Sequence, residues 1–234
     1  MIQIRDLNAG YGKFQILYNV SLDIMDKAIT SVVGPNGSGK STLLKSIFGL
    51  TSIYGGVIKF KDKIISNLPP HEIARLGIAY LPQVDNVYLN LTVRENLIMA
   101  GYTLNKNEVS QRINEVLEFV PQLKEMLDKR AYNLSGGERQ MLTIAAALIR
   151  QPSVMLLDEP TSNLSPKLSA RLFEKVKEIN EALGVTIVVV EQNTKKALEY
   201  SDYSCLLVAG RVRYFGPSQE LLANKELGRL FLGI

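Results

Sequence analysis

Residues 34–42 read Gly-Pro-Asn-Gly-Ser-Gly-Lys-Ser-Thr and match a complete phosphate-binding loop. The glycines allow backbone N–H groups to turn inward around phosphate oxygens, where a Cβ would block the approach. Lys40 supplies a positive charge for the β- and γ-phosphates, and the Ser41 hydroxyl is suited to bind Mg²⁺. The loop therefore predicts a nucleotide site formed by Gly34, Pro35, Asn36, Gly37, Ser38, Gly39, Lys40, Ser41 and Thr42.

The residues on either side of this loop predict a strand before it and a helix after it. Ile29–Val33 is apolar and rich in β-branched residues, and residues 41–48 have the pattern of an amphipathic helix. Bound phosphates would then lie at a helix N-terminus, where the dipole and free N–H groups favour anions. The alternative is a chance glycine-rich turn, which we expect in about 1% of chains of this length.

Composition restricts the class of protein. The chain has 234 residues, a net charge of +4 and one cysteine, Cys205, which excludes an internal disulfide and favours a reducing compartment. The apolar neighbours of Cys205 predict a buried strand. The basic residues are dispersed, so we expect no nucleic-acid partner. No apolar run approaches the roughly 20 residues that span a bilayer, and the first residues do not resemble a signal peptide. We therefore expect a cytoplasmic protein.

Strand-like and helix-like segments alternate in the second half of the chain. Residues 153–157 and 185–190 are near-continuous apolar runs, typical of parallel strands that are covered on both faces. Pro166–Leu183 carries a helical apolar stripe with proline in its first turn. This alternation predicts an α/β fold, with a P-loop NTPase core and a mainly parallel sheet.

Local signals in the first half of the chain predict two additions to this core. Gly55-Gly56 predicts a turn that leads into a strand pair reaching Ile65, and thus an antiparallel β edge subdomain. Thr92 and Glu95 predict a capping box at the start of a helix. We predict one domain, 1–234, with 1–84 and 135–234 as the core plus antiparallel β subdomain and 85–134 as a helical subdomain insertion.

Two carboxylates, Asp158 and Glu159, follow a buried apolar strand. This arrangement places them at the carboxyl edge of the sheet, beside the phosphate loop. Asp158 is suited to hold Mg²⁺ through its water shell, and Glu159 is suited to polarise a water for attack on the γ-phosphate. The alternative is a surface pair at a strand end, which Lys40 makes improbable.

A second anion site is predicted at residues 134–140, which read Leu-Ser-Gly-Gly-Glu-Arg-Gln and begin a long helix. Ser135 and Glu138 form a predicted capping box. Gly136 and Gly137 lower helix stability and leave backbone N–H groups exposed, which mere capping does not require. One explanation is that this helix start contacts the nucleotide of another subunit.

Four segments together resemble the ATPase subunit of ABC transporters, in a match that spans nearly the whole chain. They are residues 34–42, Gln83 in Leu81-Pro82-Gln83, residues 134–140 and residues 155–161. The resemblance implies that two such domains meet head-to-tail and enclose two ATP molecules. The partner would be a second ABC ATPase subunit, either the same chain or a related one.

The resemblance also implies roles for particular residues. Tyr11 lies where the family stacks an aromatic ring on adenine. Gln83 lies where a family glutamine reaches Mg²⁺ and the attacking water, and it begins the segment that senses the membrane partner. Ser135, Gly136 and Gly137 of one subunit would face the phosphate loop of the other.

Two positions depart from the general family pattern. Ser165 replaces an aspartate that helps to couple the two sites, although serine can still cap the helix that begins at Pro166. Gln192, in Glu191-Gln192-Asn193, replaces the switch histidine and cannot take up a proton near neutral pH. Both departures resemble the ATPases of branched-chain amino acid importers.

The sequence thus predicts an ATP-hydrolysing subunit on the cytoplasmic face of the cell membrane, bound to integral membrane permease subunits. The alternatives are an ABC-type ATPase that acts on DNA or ribosomes, and a nucleotide-binding regulatory module with little turnover. We expect ATP and Mg²⁺ as cofactors. The predicted catalytic residues are Glu159, Lys40, Gln83 and Gln192, and the predicted metal ligands are Ser41, Gln83 and Asp158.

Overall fold

The computed structural model describes residues 1–84, 87–162, 164–227 and 229. Its strands are β1 (Ile2–Tyr11), β2 (Phe14–Ile24), β3 (Ile29–Val33), β4 (Ser52–Phe60), β5 (Lys63–Ile64), β6 (Ile78–Leu81), β7 (Val154–Asp158), β8 (Thr186–Val190), β9 (Tyr203–Val208) and β10 (Arg211–Pro217). Its α-helices are α1 (Lys40–Ile47), α2 (Pro70–Arg75), α3 (Val93–Ala100), α4 (Lys106–Phe119), α5 (Gly136–Leu148), α6 (Pro166–Leu183), α7 (Thr194–Glu199), α8 (Ser218–Ala223) and α9 (Lys225–Leu227).

The larger sheet of the described residues has the strand order β10-β9-β3-β8-β7-β6. All its neighbouring strands pair in parallel except β10, which is antiparallel to β9 at the edge. Every residue of β3, β7 and β8 is buried, which explains their near-continuous apolar sequences. The prediction of an α/β fold with a mainly parallel sheet is therefore confirmed.

The apolar side chains alternate between the two faces of this sheet. On β7, Met155 and Leu157 belong to a core that includes α4, α5 and α6, whereas Val154 and Leu156 belong to a core that includes α1 and the first two strands. The carboxyl ends of β3 and β7 lie in one sheet on either side of β8. The phosphate loop and the two carboxylates therefore start from the same edge.

The smaller sheet is antiparallel, with the order β2-β1-β4-β5. The turn predicted at Gly55-Gly56 is wrong, because β4 runs through both glycines. Gly56 has a φ of +83°, and a Cβ there would lie 2.4 Å from the carbonyl oxygen of Asp6. The pairing between β1 and β4 shifts register next to this contact, so the glycine accommodates a β-bulge.

Helices follow one another between β6 and α5. Besides α3 and α4, short 3₁₀ helices lie at Pro121–Met126 and Ala131–Asn133. The predicted capping box begins α3: the Thr92 hydroxyl accepts the Glu95 N–H, and the Glu95 carboxylate accepts the Thr92 N–H. Asp85, the first residue of the predicted insertion, lies outside the described residues.

Cys205 lies in β9 and is completely buried, as its apolar neighbours predicted. Burial raises the pKa of its thiol to about 12, so it stays protonated at neutral pH. In the described part of the chain, no helix combines the length and the apolar character that crossing a membrane requires.

Candidate nucleotide-binding and hydrolysis site

The phosphate loop connects β3 to α1 and contains left-handed backbone at several glycines. Gly39, the residue before α1, has a φ of 99°. Gly34 has a φ of +146°, and a Cβ there would lie 2.0 Å from the carbonyl oxygen of Leu207. Gly37 has a φ of +75°, but a Cβ there would meet no atom within 4 Å. Gly34 is therefore required by both backbone conformation and packing, whereas Gly37 is required by conformation alone.

This difference predicts unequal losses of stability. We expect Gly34→Ala to lower the free energy of unfolding by about 2–5 kcal/mol, because overpacking adds to left-handed strain. The matched control Gly37→Ala introduces left-handed strain alone and should lower it by about 1–2 kcal/mol. Urea denaturation of the two variants measures the difference, and equal losses would contradict this account of Gly34.

Lys40 is the first residue of α1 and its side chain is folded back over the loop. The side-chain ammonium donates to the carbonyl oxygens of Gly34 at 2.9 Å and Pro35 at 3.0 Å, and the residue is only 5% exposed. Burial lowers the pKa of Lys40, while Glu159 and Asp158 act in the opposite direction. The positive charge of Lys40 is thus held against the backbone of the phosphate loop.

Asp158 ends β7 and is almost fully buried, with 4% of its surface exposed. Its Oδ1 accepts the Ser41 hydroxyl at 2.7 Å, and its Oδ2 accepts the Tyr80 hydroxyl at 3.0 Å. Burial, followed by the charge of Asp158, raises the pKa of Tyr80, so this phenol remains a donor. The hydrogen bond between Ser41 and Asp158 brings together two of the three predicted Mg²⁺ ligands, whereas the third, Gln83, contacts Glu159. Tyr80 is a contact that sequence reasoning missed.

Glu159 follows β7 and has a φ of 50°, a left-handed conformation that glutamate rarely adopts. Its Oε2 accepts hydrogen bonds from the side-chain amides of Gln83, at 3.0 Å, and Gln192, at 2.7 Å. The fold therefore brings the predicted base together with two other predicted catalytic residues from separate loops, through contacts that the sequence did not predict. Gln83 follows β6, and Gln192 follows β8.

One cavity of about 380 Å³ joins the loop to these side chains. It is lined by Tyr11, Ile16, residues 36–42, Glu159 and Gln192. A neighbouring cavity of about 340 Å³ includes Gln83, Glu159 and Gln192. The predicted adenine contact, the predicted phosphate contacts and the predicted base thus face connected space.

Ser135 and its neighbours lie elsewhere in the chain. Ser135, Gly137 and Glu138 line a different cavity, of about 590 Å³, next to α6. Ser135 accepts the Glu138 N–H at 3.3 Å, and the Glu138 carboxylate accepts the Ser135 N–H at 2.7 Å. These hydrogen bonds lower the pKa of Glu138. The capping box is confirmed, but this helix start does not line the Lys40 cavity of the same chain.

Packing within the chain does not require glycine at the start of α5. A Cβ at Gly136 would lie 3.5 Å from Leu164, and one at Gly137 would lie 3.4 Å from Leu168, which are ordinary contact distances. Ser165 caps α6 and accepts the Leu168 N–H at 3.4 Å, as predicted for a serine at this position. Contacts within the isolated chain therefore do not explain why glycine occupies both positions, the exposed Gly136 and the half-buried Gly137.

Comparisons with known proteins agree with this geometry. A family model described as "ABC transporter" matches residues 17–162. The chain is 50% identical to "Probable branched-chain amino acid transport ATP-binding protein LivF" of Archaeoglobus fulgidus, over 100% of this chain and 99% of the relative. It is 31% identical to the corresponding LivG protein of that organism, over 100% of this chain and 95% of the relative.

A solved structure gives the same result for the fold. It is described as the dimeric structure of a post-hydrolysis state of an ATP-binding cassette bound to ADP and Pi. It superposes with a TM-score of 0.80 at 26% identity, covering 93% of this chain and 99% of the other. Because the family model spans more than half of the chain and a full-length relative shares half of its residues, this chain belongs to the ABC transporter family, as an ATP-binding and ATP-hydrolysing subunit.

Proposed function

We propose that this chain hydrolyses Mg²⁺-bound ATP to drive an importer of branched-chain or other amino acids. The observation that carries the hydrolytic part is the convergence of Gln83 and Gln192 on one oxygen of Glu159, next to Lys40 and Asp158. The substrate class is supported by the 50% identity to a LivF protein over the whole chain.

Binding of ATP follows from the shape and charge of the loop. Backbone N–H groups at the start of α1 and the Lys40 ammonium bind the phosphates, and left-handed glycines allow the close approach. Tyr11, 42% exposed on the rim of the same cavity, stacks on the adenine ring.

The stacking role of Tyr11 predicts a loss of affinity. Tyr11→Ala should weaken ATP binding by about 5- to 150-fold, the range for loss of one base–aromatic stack. Tyr11→Phe should bind ATP nearly as well as the unmodified chain. Isothermal titration measures both, with Tyr102→Ala as a control for removal of an exposed tyrosine far along the chain. If Tyr11→Ala and Tyr102→Ala bind ATP equally well, the assignment fails.

The donor set at the end of β7 fits Mg²⁺. Ser41 and Asp158 offer a hydroxyl and a carboxylate, the hard oxygen donors that Mg²⁺ prefers, and they already lie within 2.7 Å of each other. Gln83 is the third proposed ligand. When bound, the ion would neutralise charge on the β- and γ-phosphates. Tyr80 holds the second oxygen of Asp158 and fixes the orientation of this carboxylate.

Glu159 acts as the general base. Gln83 and Gln192 both bind Oε2, so we assign the attacking water to the other oxygen, Oε1. Accepting the proton of that water is within the chemistry of a carboxylate, whereas the two amides only orient it. Gln192 also lines the nucleotide cavity and is therefore suited to donate to the γ-phosphate.

A second subunit completes the site. Gly136 and Gly137 have no packing reason to be glycine, and the dimeric cassette noted above supports pairing between such subunits. We propose that Ser135, Gly136, Gly137 and Glu138 of one subunit face the ATP held by Lys40 of the other. The partner is a second copy of this chain or a related one. Pairing with a related chain is supported by LivF and LivG, which are two different branched-chain amino acid transport ATP-binding proteins of one organism.

The membrane partner binds beside Gln83. A groove of about 320 Å³ is lined by Phe48, Tyr80, Leu81, Pro82 and residues of α5, and Pro82 directly precedes Gln83 in the chain. We propose that a helix of an integral membrane permease sits here, which places the chain on the cytoplasmic face of the cell membrane. The helical subdomain 85–134 would move with that helix, relative to the core formed by 1–84 and 135–234.

Uptake by living cells tests this function. Cells that lack this chain should recover import of labelled leucine when they receive the unmodified chain, and not when they receive Glu159→Gln. Restored import of a different solute class would overturn the amino acid assignment alone. Import that is equal with both chains would overturn the proposed coupling to hydrolysis.

A further inference from the structure

Glu191 is a buried carboxylate that the hydrolysis scheme above does not use. It lies at the end of β8 with 2% of its surface exposed. Burial raises the pKa of Glu191, opposed by hydrogen bonds from Thr161. Among the residues that the structure describes, no lysine or arginine forms an ion pair with it. Burying an acid in this way lowers stability, so its position needs a reason other than packing.

The backbone next to Glu191 is strained at Glu159. Glu159 has a φ of 50°, a strained conformation for a non-glycine residue that persists only when the surroundings fix it. Ser162 N–H donates to the carbonyl oxygen of Glu159 at 3.1 Å, which closes a tight turn directly after β7. The side chain of Glu159 depends on this turn for its direction.

Three consecutive residues at the end of β8 bind this turn. The Val190 carbonyl oxygen accepts the Glu159 N–H at 2.9 Å. The Glu191 Oε1 accepts the Thr161 N–H at 3.0 Å. The Gln192 amide donates to Glu159 Oε2 at 2.7 Å. The end of β8 thus holds the Glu159 turn at three points: the Glu159 N–H, the Thr161 N–H and the Glu159 carboxylate.

We propose that Glu191 is a positioning residue for hydrolysis: it holds the turn after β7 and thereby directs the Glu159 carboxylate at the attacking water. The inference rests on the proposed role of Glu159 as the base. In the described residues the Glu191 carboxylate accepts hydrogen bonds from Thr161 and Gln192 and not from the phosphate loop or Lys40. Its removal should therefore affect the chemical step and leave ATP affinity unchanged.

Two substitutions separate positioning from charge. Glu191→Gln keeps an oxygen that can accept the Thr161 N–H, and Glu191→Ala removes it. Ser169→Ala is the matched control, because the Ser169 hydroxyl is also buried near this turn but donates only to Ser165. Kinetics and hydrogen exchange are measured on the full chain, with ATP and Mg²⁺.

For Glu191→Ala we expect kcat to fall by about 10- to 100-fold, the scale for a misplaced catalytic group, with an unchanged dissociation constant for ATP. Glu191→Gln should restore most of kcat, and Ser169→Ala should leave it unchanged. In amide hydrogen exchange, the peptide that contains Thr161 should exchange about 2- to 10-fold faster in Glu191→Ala than in Glu191→Gln, as expected for one lost hydrogen bond.

Amide hydrogen exchange does not depend on ATP turnover, so the role of Glu191 and the role of Glu159 are tested separately. Equal exchange at Thr161 in the Glu191→Ala and Glu191→Gln variants would overturn the inference. A loss in Glu191→Ala that appears in ATP affinity, or that Ser169→Ala shares, would overturn it as well. Hydrolysis by Glu159→Gln at the unmodified rate would instead overturn the role of the base.

Discussion

Replacing Glu159 with glutamine is expected to lower kcat for ATP hydrolysis by about 10²- to 10⁴-fold, the usual contribution of a general base. The side chain keeps its size, but an amide cannot accept the proton of the attacking water. ATP affinity should be unchanged, because Lys40 and the backbone of the phosphate loop are untouched. Phosphate release and isothermal titration on the same preparation measure the two quantities.

A second glutamate-to-glutamine variant shows whether the effect is specific to Glu159 or follows from the loss of any negative charge. Glu181 lies on α6 and pairs with Lys177, and it lines neither the Lys40 cavity nor the cavity beside Ser135. Glu181→Gln should hydrolyse ATP at the rate of the unmodified chain. If Glu159→Gln also keeps that rate, Glu159 is not the base, and its hydrogen bonds to Gln83 and Gln192 would have a structural role.

Replacing Lys40 with alanine should weaken ATP binding by about 10- to 100-fold, because one charge-assisted hydrogen bond to phosphate is lost. In the absence of ATP the ammonium is bonded to two loop carbonyls, so binding exchanges these contacts for phosphate oxygens. Lys45→Ala is the matched control on the same helix, since Lys45 does not line the cavity. Equal affinities of the two variants for a fluorescent ATP analogue would contradict the role of Lys40.

Segments whose structure depends on local chemistry were predicted well. The phosphate loop, the strand before it and the helix after it are set by glycine conformations and by apolar patterning over fewer than 20 residues. The predicted capping boxes at Thr92 and Ser135 are also confirmed, because the two side chains of each box lie only three residues apart. Burial of Cys205 followed from the apolar strand around it.

The error at Gly55-Gly56 has a long-range cause. A glycine pair is typical of turns, but here Gly56 lies opposite β1, where a bulge brings the carbonyl oxygen of Asp6 within 2.4 Å of the position of a Cβ. The sequence of β4 alone contains no signal of that contact. The need for glycine at position 56 comes from strand pairing, which joins residues that are far apart in the chain.

The same reason explains why two residues of the site were missed. Tyr80 reaches Asp158 across 78 positions, and Glu191 reaches Thr161 across 30. Both contacts exist because β6 and β8 are the neighbours of β7 in the sheet. The order of strands in a sheet cannot be predicted from local sequence patterns. The one available signal for Glu191 was an acidic residue directly after an apolar strand.

Family membership narrows the alternatives that the sequence left open. The LivF and LivG relatives are transport proteins and match this chain over nearly their whole length, which favours transport over action on DNA or ribosomes. The roles of Glu159, Gln83, Gln192 and Tyr11 stay predictions, as does the division into a core and a helical subdomain. Asn163, next to the Glu159 turn, lies outside the described residues.

The most direct test of this account is the association of Glu159→Gln subunits, measured by size-exclusion chromatography with Mg²⁺ and either ATP or ADP. The account predicts elution at twice the mass of one chain with ATP and at the mass of one chain with ADP. Adding Ser135→Arg should abolish the larger species, because the second surface is then blocked. A variant that binds ATP and stays monomeric would contradict pairing between two copies of this chain, and a different ATPase subunit would have to supply the second surface.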